Sequence, residues 1–355
     1  MTKKNPSADH PYRHQPKHAF WRNVVQDTYP LDITHWYTKK FSLDNKRIAT
    51  AGSCFAQHIG RELREKGFNY VDVEPAPEFL SKVHWLDFGY GMYSARYGNV
   101  YTPRQLLQLT QRALGEFSPI ESAWQLKDGY VDPFRPTIEP EPFSSVEEVE
   151  AHRKFHLKSV ASLFEASDVF VFTLGLTEAW VSVQDGAVFP VCPGTAGGEF
   201  NASSYKFINF SYPEIRKDME AFFTRVRNIN PRMHFILTVS PVPLMATATN
   251  QQVVVATTYS KSVLRAVAGF LADKYSYVDY FPSYEIISSP VMRGQFYNPD
   301  MRSVAQVGVD HVMKQFFKEH TPPTHINTVS PKDSSGKDED DIVCDEELLA
   351  VFGEK

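Results

Sequence analysis

The chain has 355 residues, 42% of them apolar and 14% aromatic, enough to bury a sizeable core in one large domain or two small ones. Its 37 Lys and Arg stand against 42 Asp and Glu, a net charge of −5 that offers no strong field to nucleic acid or an anionic membrane surface. Three cysteines without CxxC or close Cys/His spacing argue against a disulfide framework or a metal motif, and no run approaches the ~20 apolar residues of a membrane span. With no apolar stretch after Met1, a cytoplasmic location is expected, and no spacing implies a metal or organic cofactor.

Residues 1–18 are polar, with Lys3, Lys4, His10, His14 and His18 among prolines, and read as a disordered arm. Aromatics crowd residues 20–41, including Trp21, Tyr29, Trp36 and Tyr37, as in a segment wrapped over a core. A strand over 46–51 then meets Gly52-Ser53, and Phe55, Ile59 and Leu63 recur every four residues along a helix over 55–66 that Gly67 closes. A second strand is predicted over 68–73, which makes strand, helix, strand: the opening of a parallel α/β sheet. Ser53 in such a turn sits beside the free N–H groups and positive dipole end of a helix, a setting for a nucleophile whose reaction develops an oxyanion. On spacing alone, helix N-capping is the commoner role.

Residues 74–101 are loop-like, and Thr102 with Pro103 starts a helix whose apolar face holds Leu106, Leu107, Leu109 and Leu114. The Pro-rich, acidic stretch 116–145 reads as an inserted cap over the site. A helix over 146–165 carries His152 and His156 four apart without an HExxH arrangement, so both are expected on a solvated face. Residues 168–174 are a continuous apolar strand of the kind buried on both faces, ending at Gly175-Leu176-Thr177-Glu178, where parallel sheets bind their ligands. A Gly-rich loop or hairpin over 186–209 is followed by a helix over 212–228, a strand over 233–239 with His234 as a core histidine, a helix over 253–274, a strand over 277–280 and a helix over 304–317. From residue 321 the chain turns acidic and polar and is expected to be solvated and disordered, the alternative being a short helix near its end that docks on a protein partner or on the domain itself.

Gly52-Ser53-Cys54-Phe55-Ala56 resembles the signature for which the GSCFA family is named. Further matches are Ala19-Phe20-Trp21-Arg22, Tyr97-Gly98-Asn99-Val100-Tyr101-Thr102, Gly175-Leu176-Thr177-Glu178-Ala179-Trp180, Thr238-Val239-Ser240-Pro241-Val242-Pro243, Ser260-Lys261-Ser262-Val263-Leu264-Arg265 and Phe281-Pro282-Ser283-Tyr284-Glu285-Ile286. That family is similar to the SGNH, or GDSL-like, hydrolases, and its members often look bacterial. The resemblance implies a three-layer, flavodoxin-like α/β fold with one catalytic domain over 19–320 and Ser53 as nucleophile, with the flanking Gly52 and Cys54 among the oxyanion or substrate-binding residues. It also implies an oxyanion hole from Gly98 with Asn99, with Gly89 or Gly91 as substitutes, and from a Gly-x-Asn-Asp block that here reads Gly175, Thr177 and Glu178.

The family's Asp-x-x-His is the largest departure, for Asp300 is present but Ser303 stands where the histidine would. His311 lies eight residues beyond Ser303, about 12 Å of helical rise. His84 and His58 are other candidates, and loss of the base is another outcome. The expected function is serine-dependent hydrolysis of an acyl ester, such as O-acetyl on a carbohydrate. Its rivals are an O-acyltransferase acting on a surface polysaccharide and a degenerate carbohydrate-binding or scaffold protein. Cys54 is a second nucleophile candidate through its thiol.

Overall fold

The computed structural model describes residues 10–323 and 342–353. Its centre is a parallel sheet of β1 (Ile48–Gly52), β4 (Val169–Leu174), β8 (His234–Val239) and β9 (Val278–Tyr280) in the order β1-β4-β8-β9. The expected strand over 68–73 shrinks to one parallel bridge, Tyr70 against Ile48, held by Val71 N–H to the Ile48 carbonyl at 2.8 Å. Tyr70 lies at the β1 edge, so the chain order across the sheet is still that of a flavodoxin-like fold.

Strand alternation divides the core into two layers. Ala49, Ala51, Phe170, Phe172, Phe235 and Leu237 face one side, where α2 (Pro103–Ala113), α3 (Val146–Ala166), α4 (Tyr212–Ile229) and α5 (Val253–Lys274) pack. Ile48, Val169, Val171 and Ile236 face the other, under α1 (Phe55–Glu65), α6 (Ser283–Ser288) and α7 (Gln306–Glu319). The result is a three-layer α/β domain.

Two small sheets extend it. The 116–145 insertion holds a hairpin of β2 (Trp124–Leu126) and β3 (Gly129–Val131), while β5 (Glu178–Ser182), β6 (Val188–Phe189) and β7 (Tyr205–Asn209) pair antiparallel in the order β6-β5-β7. The insertion covers the α3 face expected to be solvated. His156 is buried there, its Nδ1 2.7 Å from Glu74, and burial lowers its pKa to about 4. His152 lies between the guanidinium groups of Arg96 and Arg135, each nitrogen within 3.2 Å. His234 is half-buried, its ring packed on Phe41.

Residues 10–18 form short, exposed 3-10 turns, and residues 1–9 of the expected disordered arm lie outside the described residues. Of the acidic tail, residues 324–341 lie outside them too. Residues 342–353 dock on the domain itself, mostly as a 3-10 helix over Asp345–Phe352. No helix among the described residues is long and apolar enough to cross a membrane.

Candidate active site

Gly52 ends β1 with φ +144°, and a Cβ there would lie 2.5 Å from the Thr173 carbonyl oxygen. Only glycine lets β1 turn this tightly against β4. The turn delivers Ser53, 3% exposed, to the C-terminal edge of the sheet. Its side chain does not cap α1: Cys54 occupies the N-cap position, and the buried Ser53 hydroxyl has no hydrogen-bond partner. A buried hydroxyl left unpaired costs roughly 1–3 kcal/mol, so the capping role does not account for this serine.

Ser53 lines a cavity of about 10 Å3 with Gly175 at the end of β4 and Ser240 at the end of β8. A Cβ on Gly175 would lie 3.0 Å from the Ser53 Cβ and 3.0 Å from the Tyr101 carbonyl oxygen, so glycine keeps this wall clear. Lys261 of α5 enters the same cavity, fully buried, and its Nζ donates to the Gly175 carbonyl at 2.6 Å. Burial lowers its pKa to about 8, against the pull of Glu346. Lys261 falls on the Leu264, Ala268, Ala272 stripe of α5, and a lysine on that apolar stripe is the sequence signal that would have found it.

The tail supplies the roof. Val343 presents its carbonyl to Gln57 Nε2 at 2.8 Å and Asn99 Nδ2 at 3.1 Å. Asp345 accepts from Asn99 Nδ2 at 2.9 Å and Thr137 Oγ1 at 2.6 Å, and Glu346 lines the Ser53 cavity with Arg302 3.4 Å away. The Cys54 thiol is pushed up by its hydrogen bond to Cys344, then by burial, and stays protonated at neutral pH. Thiolate chemistry at Cys54 is thereby disfavoured.

Of the expected oxyanion residues, Cys54 and Gly175 line the cavity with Ser53. Asn99 stands beside the turn, where Tyr93 OH bridges its Oδ1 at 2.5 Å and the Ser53 carbonyl at 3.1 Å. Gly98, Thr177 and Glu178 are not brought to Ser53. Gly98 borders a separate small pocket next to Asp345, and Thr177 is buried with its hydroxyl donated to Asn209 Oδ1 at 2.6 Å. Glu178 accepts from Thr247 Oγ1 at 2.7 Å in a neighbouring apolar cavity. The Ser53 N–H is spent on the Thr173 carbonyl at 3.1 Å, and those of Ala56 and Gln57 on the Ser53 and Cys54 carbonyls at 2.8 and 3.1 Å, which leaves the Phe55 N–H as the first donor of α1 not so engaged.

None of the three candidate histidines lines the cavity. His84 is exposed, 3.0 Å from Asp87, and His311 stacks on Phe296 with its centroid 5.1 Å away. His58 is buried against Phe55 and Arg61, and burial lowers its pKa to about 3. Asp300 is exposed and accepts from Ser303 Oγ at 2.8 Å and from the Ser303 and Arg302 N–H groups, which shapes the loop that points Arg302 at the tail. Among the described residues, no group of three or more His, Cys, Asp or Glu is placed to hold a metal ion.

No curated protein matches the chain. Among solved structures, an acetyl esterase mutant crystallised with acetate ion is 10% identical with a TM-score of 0.36, the match covering 77% of this chain and 95% of that one. A carbohydrate esterase family 3 protein from Talaromyces cellulolyticus is 9% identical with a TM-score of 0.38 and the same coverage. Both likenesses are too remote to bear on activity. The GSCFA family model matches residues 47–316, well over half of the sequence, and the chain belongs to the GSCFA family.

Proposed function

We propose that the protein is a serine-dependent ester hydrolase, with Ser53 as nucleophile and Lys261 as base. The observation that carries this reading is a buried, unpartnered serine hydroxyl in one cavity with a buried lysine whose pKa is lowered to about 8, at the C-terminal ends of three parallel strands. Ser53 Oγ bonds to the ester carbonyl carbon as its proton passes to the neutral Lys261 amine. The carbonyl oxygen takes the negative charge at the positive N-terminal end of α1, and the side-chain amides of Gln57 and Asn99 join it only once the tail's Val343 and Asp345 release them. Collapse of this intermediate breaks the bond to the alcohol oxygen, which leaves with the lysine proton. Water then attacks the acyl-serine in the same way, releasing the acid and restoring Ser53. Each oxyanion donor is worth about 3–4 kcal/mol of barrier. Asp300 acts at a distance in this scheme, by fixing the loop that carries Arg302.

A second reading, O-acyl transfer to a sugar hydroxyl, is favoured by the closure of the site, since a dry acyl-enzyme waits longer for water. Turnover of p-nitrophenyl esters by the full chain, with Ser53→Ala as control and a sugar alcohol added to detect transfer, tests both. Hydrolysis or transfer abolished in Ser53→Ala is expected; turnover that survives the substitution overturns the proposal.

A further inference from the structure

Next to the Ser53 cavity lies a much larger one, about 620 Å3, that the proposed chemistry leaves unassigned. Leu176, Leu244 and Glu346 line both cavities, so the large one adjoins the small. Its walls include Trp180 of β5, Phe207 of β7, Phe189 and Phe200, and the tail adds Leu349 and Phe352. Polar groups are few beside the aromatic and aliphatic ones, and the carboxylates of Glu178 and Glu346 are already partnered, Glu178 by Thr247 Oγ1 at 2.7 Å and Glu346 by Arg302 at 3.4 Å. A sugar presents a hydroxyl on nearly every carbon and needs a partner for each one it buries. This lining answers an apolar ligand.

We propose that this cavity holds the acyl chain of the ester that Ser53 attacks, and that the chain is of medium length rather than acetyl. The inference rests on the reading of Ser53 as nucleophile. The acyl group, and not the alcohol, is assigned to it because the acyl group stays bonded to the enzyme through deacylation while the alcohol must leave. A methylene takes up about as much room as a water molecule's ~30 Å3 share of liquid, so an eight-carbon chain of roughly 240 Å3 fits. An acetyl group would leave nearly all of the cavity unfilled.

The test compares p-nitrophenyl octanoate with p-nitrophenyl acetate and with octyl acetate, which places the long chain on the alcohol side. Each methylene transferred from water is worth up to about fourfold, so kcat/KM for octanoate should exceed that for acetate by ~10-fold or more even with partial burial. Ala246→Trp at the exposed rim and Cys192→Trp on the half-buried wall fill the cavity and should bring the octanoate-to-acetate ratio toward one. Ser53-dependent turnover that prefers acetate, or octyl acetate, overturns the acyl-chain assignment and leaves the hydrolase intact. If no ester is turned over, the hydrolase falls, and dansyl-labelled undecanoic acid decides the cavity on its own. Fluorescence enhancement on Ser53→Ala protein, lost in the Ala246→Trp background, supports an acyl-chain site; no enhancement overturns it.

Discussion

Lys261→Met separates the proposed base from every other group in the site. The methionine retains most of the stem that packs along α5 and removes only the amine that donates to the Gly175 carbonyl at 2.6 Å. General-base catalysis contributes about 10²–10⁴-fold, and the loss should fall in that range. The pH dependence gives a sharper magnitude. The amine accepts a proton only when neutral, and with a pKa of about 8 it is neutral in roughly one molecule in eleven at pH 7 and ten in eleven at pH 9. The rate of Ser53 modification by a fluorophosphonate should therefore rise about tenfold from pH 7 to 9. Glu346→Gln removes a carboxylate that favours the ammonium form and should move the inflection to lower pH. Lys261→Met should flatten the profile without lowering Tm, because no buried amine is left to desolvate. By linkage, wild-type stability should rise between about pH 8 and the ordinary lysine value, where the unfolded chain holds a proton that the folded one has released. An inflection near the histidine range, or a Lys261→Met protein with an unchanged rate and profile, would refute the assignment.

Three further outcomes follow from the same geometry. Gly175→Ala puts a methyl 3.0 Å from the Ser53 Cβ and should cut ester turnover about 10²-fold, by displacing the nucleophile while circular dichroism stays native. Ending the chain at residue 341 removes the roof and frees the Gln57 and Asn99 amides from Val343; labelling of Ser53 should speed up at least ~10-fold, since even a few lost hydrogen bonds of ~1 kcal/mol each exceed that factor, and an unchanged rate contradicts the docking. Asp132 is buried with Arg135 at 3.0 Å and Arg153 at 2.9 Å; burial alone would raise its pKa, but these guanidinium groups, with Arg112, outweigh it and hold the carboxyl well below the usual range. Asp132→Ala strands those cations and should cost about 3–5 kcal/mol, roughly a 10 °C fall in Tm by calorimetry.

The layers of the fold were legible where local period and burial agree. The Gly52-Ser53 turn, the apolar runs of β4 and β8, and α3, α4 and α5 all fall within two residues of expectation at each end, because a strand buried on both faces and a helix with one buried stripe leave periods of their own. The failures share a cause. Tyr70 reads as mid-strand, yet after one bridge the chain leaves the sheet edge. His156 sits on a helix face that looks solvated until residues far away, Glu74 and the 116–145 insertion, close over it. The tail has the charge of a disordered segment, but Asp345 finds Asn99 and Thr137, and Glu346 finds Arg302, partners more than 40 residues distant in each case. Within the site, Ser53, Cys54 and Gly175 were readable from the turn and strand end that place them. Lys261 was hidden as a polar residue inside a motif, because what matters about it is the cavity its helix face meets.

The most direct test is the site of covalent modification. Full-length protein and protein ending at residue 341 are treated with a fluorophosphonate, and the modified peptide is located by mass spectrometry. One adduct on Ser53, absent from Ser53→Ala and slowed in Lys261→Met, is the predicted result. No adduct in either protein, or an adduct on Cys54, would contradict the account.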